Sequence, residues 1–115
     1  MTGIVRVQEL PALRTFIFRA YGSDDAPPMA DYQMVCTIQL TSDTEAWVHG
    51  MLGVSNYRIW RAIVAELLRR GIHTLYAKRA PGRVLPRGET MPDGSLRIDL
   101  AALARRGTDT GFGSL

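Results

Sequence analysis

Cysteine is nearly absent from this 115-residue chain: Cys36 stands alone. An internal disulfide is therefore excluded, and so is a cysteine metal cluster. Lysine is almost as scarce, since Lys78 is the one lysine among 14 basic residues. Histidine occurs twice, at His49 and His73, with no carboxylate or cysteine at ligand spacing, so no metal site is expected. No apolar run approaches the roughly 18 residues of a membrane-spanning helix. The opening MTGIVRVQEL lacks a basic region followed by an apolar block, so no secretory signal is expected. These absences favour a reducing compartment, and the expected location is the cytoplasm or a virion.

What is present suits one folded domain. Hydrophobic residues make up 46% and charged residues 22%, the balance of a chain that buries a core without staples. The net charge is +3, but it is divided unevenly. Up to Ser55 there are 3 basic and 6 acidic residues; from Asn56 there are 11 basic and 5 acidic. One end of the molecule is thus suited to acidic partners.

Apolar residues alternate over Gly3 to Glu9, which predicts a short strand. In LPALRTFIFRAYG, Pro11 suits the first turn of a helix, Leu13, Phe16, Ile17 and Ala20 recur at helical spacing, and Gly22 supplies a stop. A first helix is expected there. SDDAPPMAD, residues 23–31, is expected to be an acidic loop. YQMVCTIQLTSDTEAWVHGMLG predicts a hairpin with Met34, Cys36, Ile38 and Leu40 on one face, and a helix over Met34 to Leu40 is the competing reading.

Ser55 or Asn56 then caps the clearest element. Ile59, Trp60, Ile63, Val64, Leu67 and Leu68 form one apolar stripe, Arg58, Arg61 and Arg69 lie opposite, and Gly71 ends the helix. IHTLYAKR follows as a strand. LRIDL is expected to be the last strand and AALARRG a helical turn or two. The expected organisation is one domain over 1–107 and a glycine-rich tail over 108–115. The expected fold class is α+β, a central mixed or antiparallel sheet with two main helices and a β-rich C-terminal end.

The order of elements resembles the Gcn5-related N-acetyltransferase fold, best over Met34 to Arg79. Family members carry a signature between the second hairpin strand and the helix: Gln or Arg, two residues, Gly, one residue, then Gly or Ala. Its backbone N–H groups hold the pyrophosphate of acetyl-coenzyme A, as a helix N-terminus can. Here that turn reads GVSNYRIWR. Only Gly53 precedes it, and Tyr57 and Trp60 are bulky. The departure implies that the cofactor grip is lost and that no cofactor is bound, although Arg58 and Arg61 retain charge for an anion. The resemblance also places Glu45 near the family's general base and Tyr76 as a general acid; each also reads as an ordinary strand or turn residue.

The function expected from this reading is non-enzymatic: a structural or assembly protein whose partners are other protein chains. Small proteins of this build resemble ones encoded by bacteriophages, which implies a virion component at the head–tail junction or inside the capsid. The expected contact residues are Asp24, Asp25 and Asp31 of the acidic loop, Arg79, Arg83 and Arg87 of the basic segment, and Phe112 and Leu115 of the tail. An acyl-coenzyme A-dependent N-acetyltransferase is the alternative. A nucleic-acid-binding accessory protein is the second, drawn from the basic run Lys78, Arg79, Arg83 and Arg87. It is not favoured, because no aromatic residue for base stacking lies between Arg79 and Gly111.

Overall fold

The computed structural model describes residues 4–22, 31–53, 56–78 and 85–105, the last of these without its side chain. Seven strands form one mixed sheet: β1 (Val5–Leu10), β2 (Thr15–Ala20), β3 (Met34–Leu40), β4 (Glu45–Gly53), β5 (Thr74–Lys78), β6 (Glu89–Thr90) and β7 (Ser95–Asp99). Their order across the sheet is β1-β2-β3-β4-β5-β7-β6. Helix α1 (Tyr57–Arg69) joins β4 to β5, and the short α2 (Leu100–Arg105) follows β7. The fold is α+β around a mixed sheet, as expected; of the two main helices expected, α1 is present and the one after Pro11 is not.

Residues 11–20 correct that expectation. Pro11 opens a single 3-10 turn, Pro11–Leu13, and Arg14 closes it in the left-handed region at φ 51°. The chain then reverses as β2, which pairs antiparallel with β1 from Thr15↔Leu10 to Ala20↔Val5. The residues taken as a helical stripe fit period 2 as well. Phe16, Phe18 and Ala20 are buried while Thr15, Ile17 and Arg19 are half-buried, the alternation of a strand. Pairing with β3 over Thr15↔Gln39 to Ala20↔Met34 decides between the two periods. Gly22 lies beyond the end of a strand rather than a helix.

The rest of the sheet follows the sequence closely. Met34, Cys36 and Ile38 of β3 are buried on the same side as Phe16 and Phe18. Burial pushes the Cys36 thiol up to about 12, so it is a packed apolar residue and not a nucleophile. Leu75 and Ala77 of β5 and Leu96 and Ile98 of β7 continue this face. Helix α1 lays Ile59, Trp60, Ile63, Val64 and Leu67 on it, and α2 adds Leu100 and Leu103.

Both helix starts are capped as their sequences allow. The Asn56 side chain accepts the Ile59 N–H at 3.0 Å, and Asp99 Oδ1 accepts the Ala102 N–H at 3.0 Å. Leu100 N–H also reaches the His73 carbonyl at 2.9 Å, tying α2 to the entry of β5.

Arg70, just beyond α1, anchors the helix to the far strands. Its guanidinium meets Glu9 of β1 and Glu66 of α1, and lies over the Phe16 ring at 5.2 Å. Glu66 also accepts from Arg69 at 2.8 Å. That hydrogen bond, opposed by partial burial and aided by the charges of Arg69 and Arg70, holds the Glu66 carboxyl below its usual range. Asp93 is lowered too, chiefly by the Ser95 hydroxyl at 2.6 Å and then by the Ser95 backbone N–H.

Depressed carboxyl values stabilise the fold above the unfolded value, and that stability disappears as pH falls through the folded one. The urea midpoint should therefore be level above about pH 5 and fall as both groups protonate in more acidic solution. The combination Glu66→Gln with Asp93→Asn should flatten this decline; an undiminished decline would assign it to other groups.

Candidate functional site in the cleft between β4 and β5

Parallel strands whose C-terminal ends part company leave a crevice, the ordinary place for a ligand in sheets of this kind. β4 and β5 pair in parallel over three residues only, Glu45↔Thr74, Ala46↔Leu75 and Trp47↔Tyr76. Beyond Trp47, β4 keeps to β3 and β5 to β7. Thr37 pairs with Gly50 whereas Ile38 pairs with Val48, so His49 is the extra residue of a β-bulge and is exposed. The opening has a volume of about 620 Å³ and is lined by Trp47, Val48, His49, Met51, Ala77, Lys78, Leu85 and Thr41.

Trp47 and Tyr76 stand side by side on the sheet face opposite the helices. Their rings stack at 5.1 Å with planes 19° apart. The Tyr76 hydroxyl donates to Glu45 Oε2 at 3.3 Å. The structure thus brings together the two residues singled out for acid–base work. Neither lines the cleft; Trp47 does. Glu45 opens β4, two residues before Trp47, whereas the crevice lies beyond Trp47.

The turn before α1 is the other half of a phosphate site. Gly53 has φ +92°, and a Cβ there would lie 2.2 Å from the Gln33 carbonyl oxygen. This glycine exists for the close passage of β4 against residue 33, at the end of the β3 pairing. Asn56 takes one of the donors that an incoming anion needs, that of Ile59. Val54 and Ser55 lie outside the described residues.

The two histidines are not brought together. The backbone N–H of His73 reaches the Thr44 carbonyl at the start of β4, at 2.8 Å, while His49 sits five residues further along that strand. Among the described residues no group of three or more potential metal ligands forms. Asp31 and Arg87 are exposed. Asp24, Asp25, Arg79, Arg83, Phe112 and Leu115 lie outside the described residues. Among the described helices none is long and apolar enough to cross a membrane.

Sequence reasoning did not single out the second face of the sheet. The face opposite α1 and α2 carries no helix among the described residues. One row across it reads Leu10, Thr15, Gln39, Trp47, Tyr76, Arg97 and Glu89 in successive strands. Nearby stand Ile17, Val35 and Leu52, and Leu52 is 67% exposed. The signal lay in the alternating residues of β2 to β5, but it was read for the buried face alone.

Comparison with models of known protein families, with curated proteins and with solved structures finds no significant match to this chain.

Proposed function

We propose that this protein is a non-enzymatic assembly module that binds another protein chain through the sheet face opposite α1 and α2. The observation that carries the reading is the apolar and aromatic set on that face: half-buried Trp47 stacked on Tyr76, with half-buried Ile17 and Val35 and the exposed Leu52 further along it. Partly exposed aromatic residues, edged by Arg97 and Glu89, suit the centre and rim of a protein interface. The likeness to a Gcn5-related N-acetyltransferase scaffold is part of the proposal. An antiparallel β3–β4 pair, helix α1 and a parallel β5 support it. By analogy with small phage-encoded proteins of this build, a virion is the assembly we favour.

A second reading, an acyl-coenzyme A-dependent transferase, draws on the crevice between β4 and β5 and on the Glu45–Tyr76 contact. The capped start of α1 and the structural use of Gly53 weigh against it.

Light scattering on purified full-length protein, together with identification of co-purifying chains, tests the proposal. An oligomer or a stoichiometric partner is expected, and the double substitution Trp47→Ser with Leu52→Ser should weaken that association at least about tenfold, the loss of one or more interface anchors. Calorimetry with acetyl-coenzyme A should give no heat. A lone monomer that binds the coenzyme at micromolar concentration would overturn the assembly reading in favour of the transferase.

A further inference from the structure

The two edges of the sheet differ. At one end β6 has only two residues, Glu89–Thr90, too few to offer a neighbour a ladder. At the other end β1 runs for six residues and keeps one unbroken register with β2, from Val5↔Ala20 to Leu10↔Thr15. Among the described residues no strand pairs with its outer side. The Tyr21 N–H reaches the Ile4 carbonyl at 2.7 Å, so in this register Ile4, Arg6, Gln8 and Leu10 turn their backbone groups to β2. Val5, Val7 and Glu9 therefore aim theirs outward. Edge strands are ordinarily guarded by charged side chains, proline or a bulge. β1 has neither proline nor bulge. Its polar side chains are engaged within the fold: Arg6 lies over the Tyr21 ring at 4.3 Å, Gln8 accepts from Arg19 at 3.0 Å, and Glu9 meets Arg70.

We infer that β1 is the docking edge for β1 of a second copy of this chain, the two strands pairing antiparallel about a two-fold axis at Val7. An extended strand is the partner that meets a row of outward N–H and C=O groups. A two-fold axis normal to the sheet keeps every side chain on its own side of the joined sheet, so odd-numbered residues of one copy face odd-numbered residues of the other. Centred on Val7, the pairing sets Val7 against Val7 of the second copy, Val5 against Glu9 and Arg6 against Gln8. The outward groups of all three residues then bond among themselves, and no like charges are opposed. Centring on Glu9 would oppose two carboxylates, and centring on Val5 would leave Glu9 unpaired. Because β6 is too short to receive β1, the contact closes as a dimer instead of running on as a filament. Both copies then present Trp47 and Tyr76 on one side of a continuous sheet. The pairing itself uses the sheet edge, not the face of the proposed function.

Sedimentation equilibrium of the full-length protein should show a dimer. Val7→Pro removes an outward N–H and no bond to β2, so it should weaken the dimer at least about tenfold while the fold remains. Trp47→Ser with Leu52→Ser should leave the dimer in place. Disulfide trapping checks the register. Val7→Cys sets two thiols across the axis with Cα atoms about 5.5 Å apart, within reach of a disulfide. Glu9→Cys sets them about 14 Å apart along the strands, beyond that reach. Cys36 is buried and does not compete. Val7→Cys should therefore give a covalent dimer at least about tenfold faster than Glu9→Cys, whatever the stability of the proline variant. A monomer even at submillimolar concentration, or equal trapping rates in the two cysteine variants, would overturn the proposal. A dimer dissolved by the face substitutions but indifferent to Val7→Pro would overturn it too and leave the face reading standing.

Discussion

Trp60→Ala should unfold a large fraction of the protein near its growth temperature. Trp60 is fully buried, at the point where α1 meets the sheet, among Ile59, Ile63 and Val64 of its own helix and the covered faces of the strands. Truncating a buried tryptophan removes its transfer free energy and leaves a cavity, together about 3–5 kcal/mol. A domain of ordinary stability has only about 5–15 kcal/mol in all. The thermal midpoint should drop by roughly 12–30 °C, given several degrees per kcal/mol for a domain near this size. Differential scanning calorimetry measures this directly. Trp60→Phe, which keeps a ring in the site, should lose about half as much or less. The chain has only one other tryptophan, Trp47. The emission that remains in a folded Trp60→Phe protein therefore reports the sheet face opposite α1 and α2 alone, and its change on association is an independent reading of the proposed interface. A midpoint within a few degrees of the parent would mean that α1 is not held by this core.

How much of this was legible depends on the kind of signal each segment carries. α1 was readable because its stripe, Ile59 to Leu68, recurs at only one period and is bounded by Asn56 and Gly71. The β3–β4 hairpin was readable because Met34, Cys36 and Ile38 alternate with Val35 and Thr37 in a β-branched context. Segment 11–20 failed because its apolar residues satisfy two periods at once. Leu13, Phe16, Ile17 and Ala20 fit a helix, and Phe16, Phe18 and Ala20 fit a strand. Only the neighbouring strand resolves this, and a neighbour 18 residues away is not visible locally.

The site was harder still. Whether Trp47 meets Tyr76 depends on the parallel register of β4 and β5, which α1 imposes from a distance. The bulge at His49 depends on the mismatch of β3 and β4. The segment expected as a helix is a four-residue reversal, Pro11 to Arg14, followed by β2, which puts Ile17 on the sheet face that carries Trp47.

Gly53→Ala distinguishes the two roles a glycine can have before α1. Were Gly53 there to let a diphosphate approach, alanine would impair ligand binding and leave the fold intact. The geometry requires the reverse. The residue sits at φ +92°, where a side chain is strained, and its new Cβ would fall 2.2 Å from the Gln33 oxygen and 2.9 Å from Met34 Cα. Both obstacles are backbone atoms, so neither can rotate away. Residue 33 is held in turn by its N–H to the Ala20 carbonyl at 2.7 Å, which ties the point of contact to β2. The expected loss is about 2–4 kcal/mol, the sum of backbone strain and a displaced strand end. Gly50→Ala is the matched control, three residues earlier on the same strand: nothing lies within 4 Å of its Cβ position. That substitution should fall within about 0.5 kcal/mol of the parent. Urea titrations of the two variants settle the matter. A stable Gly53→Ala protein, unfolding with the parent, would remove the structural explanation of this glycine and return the turn to the transferase reading.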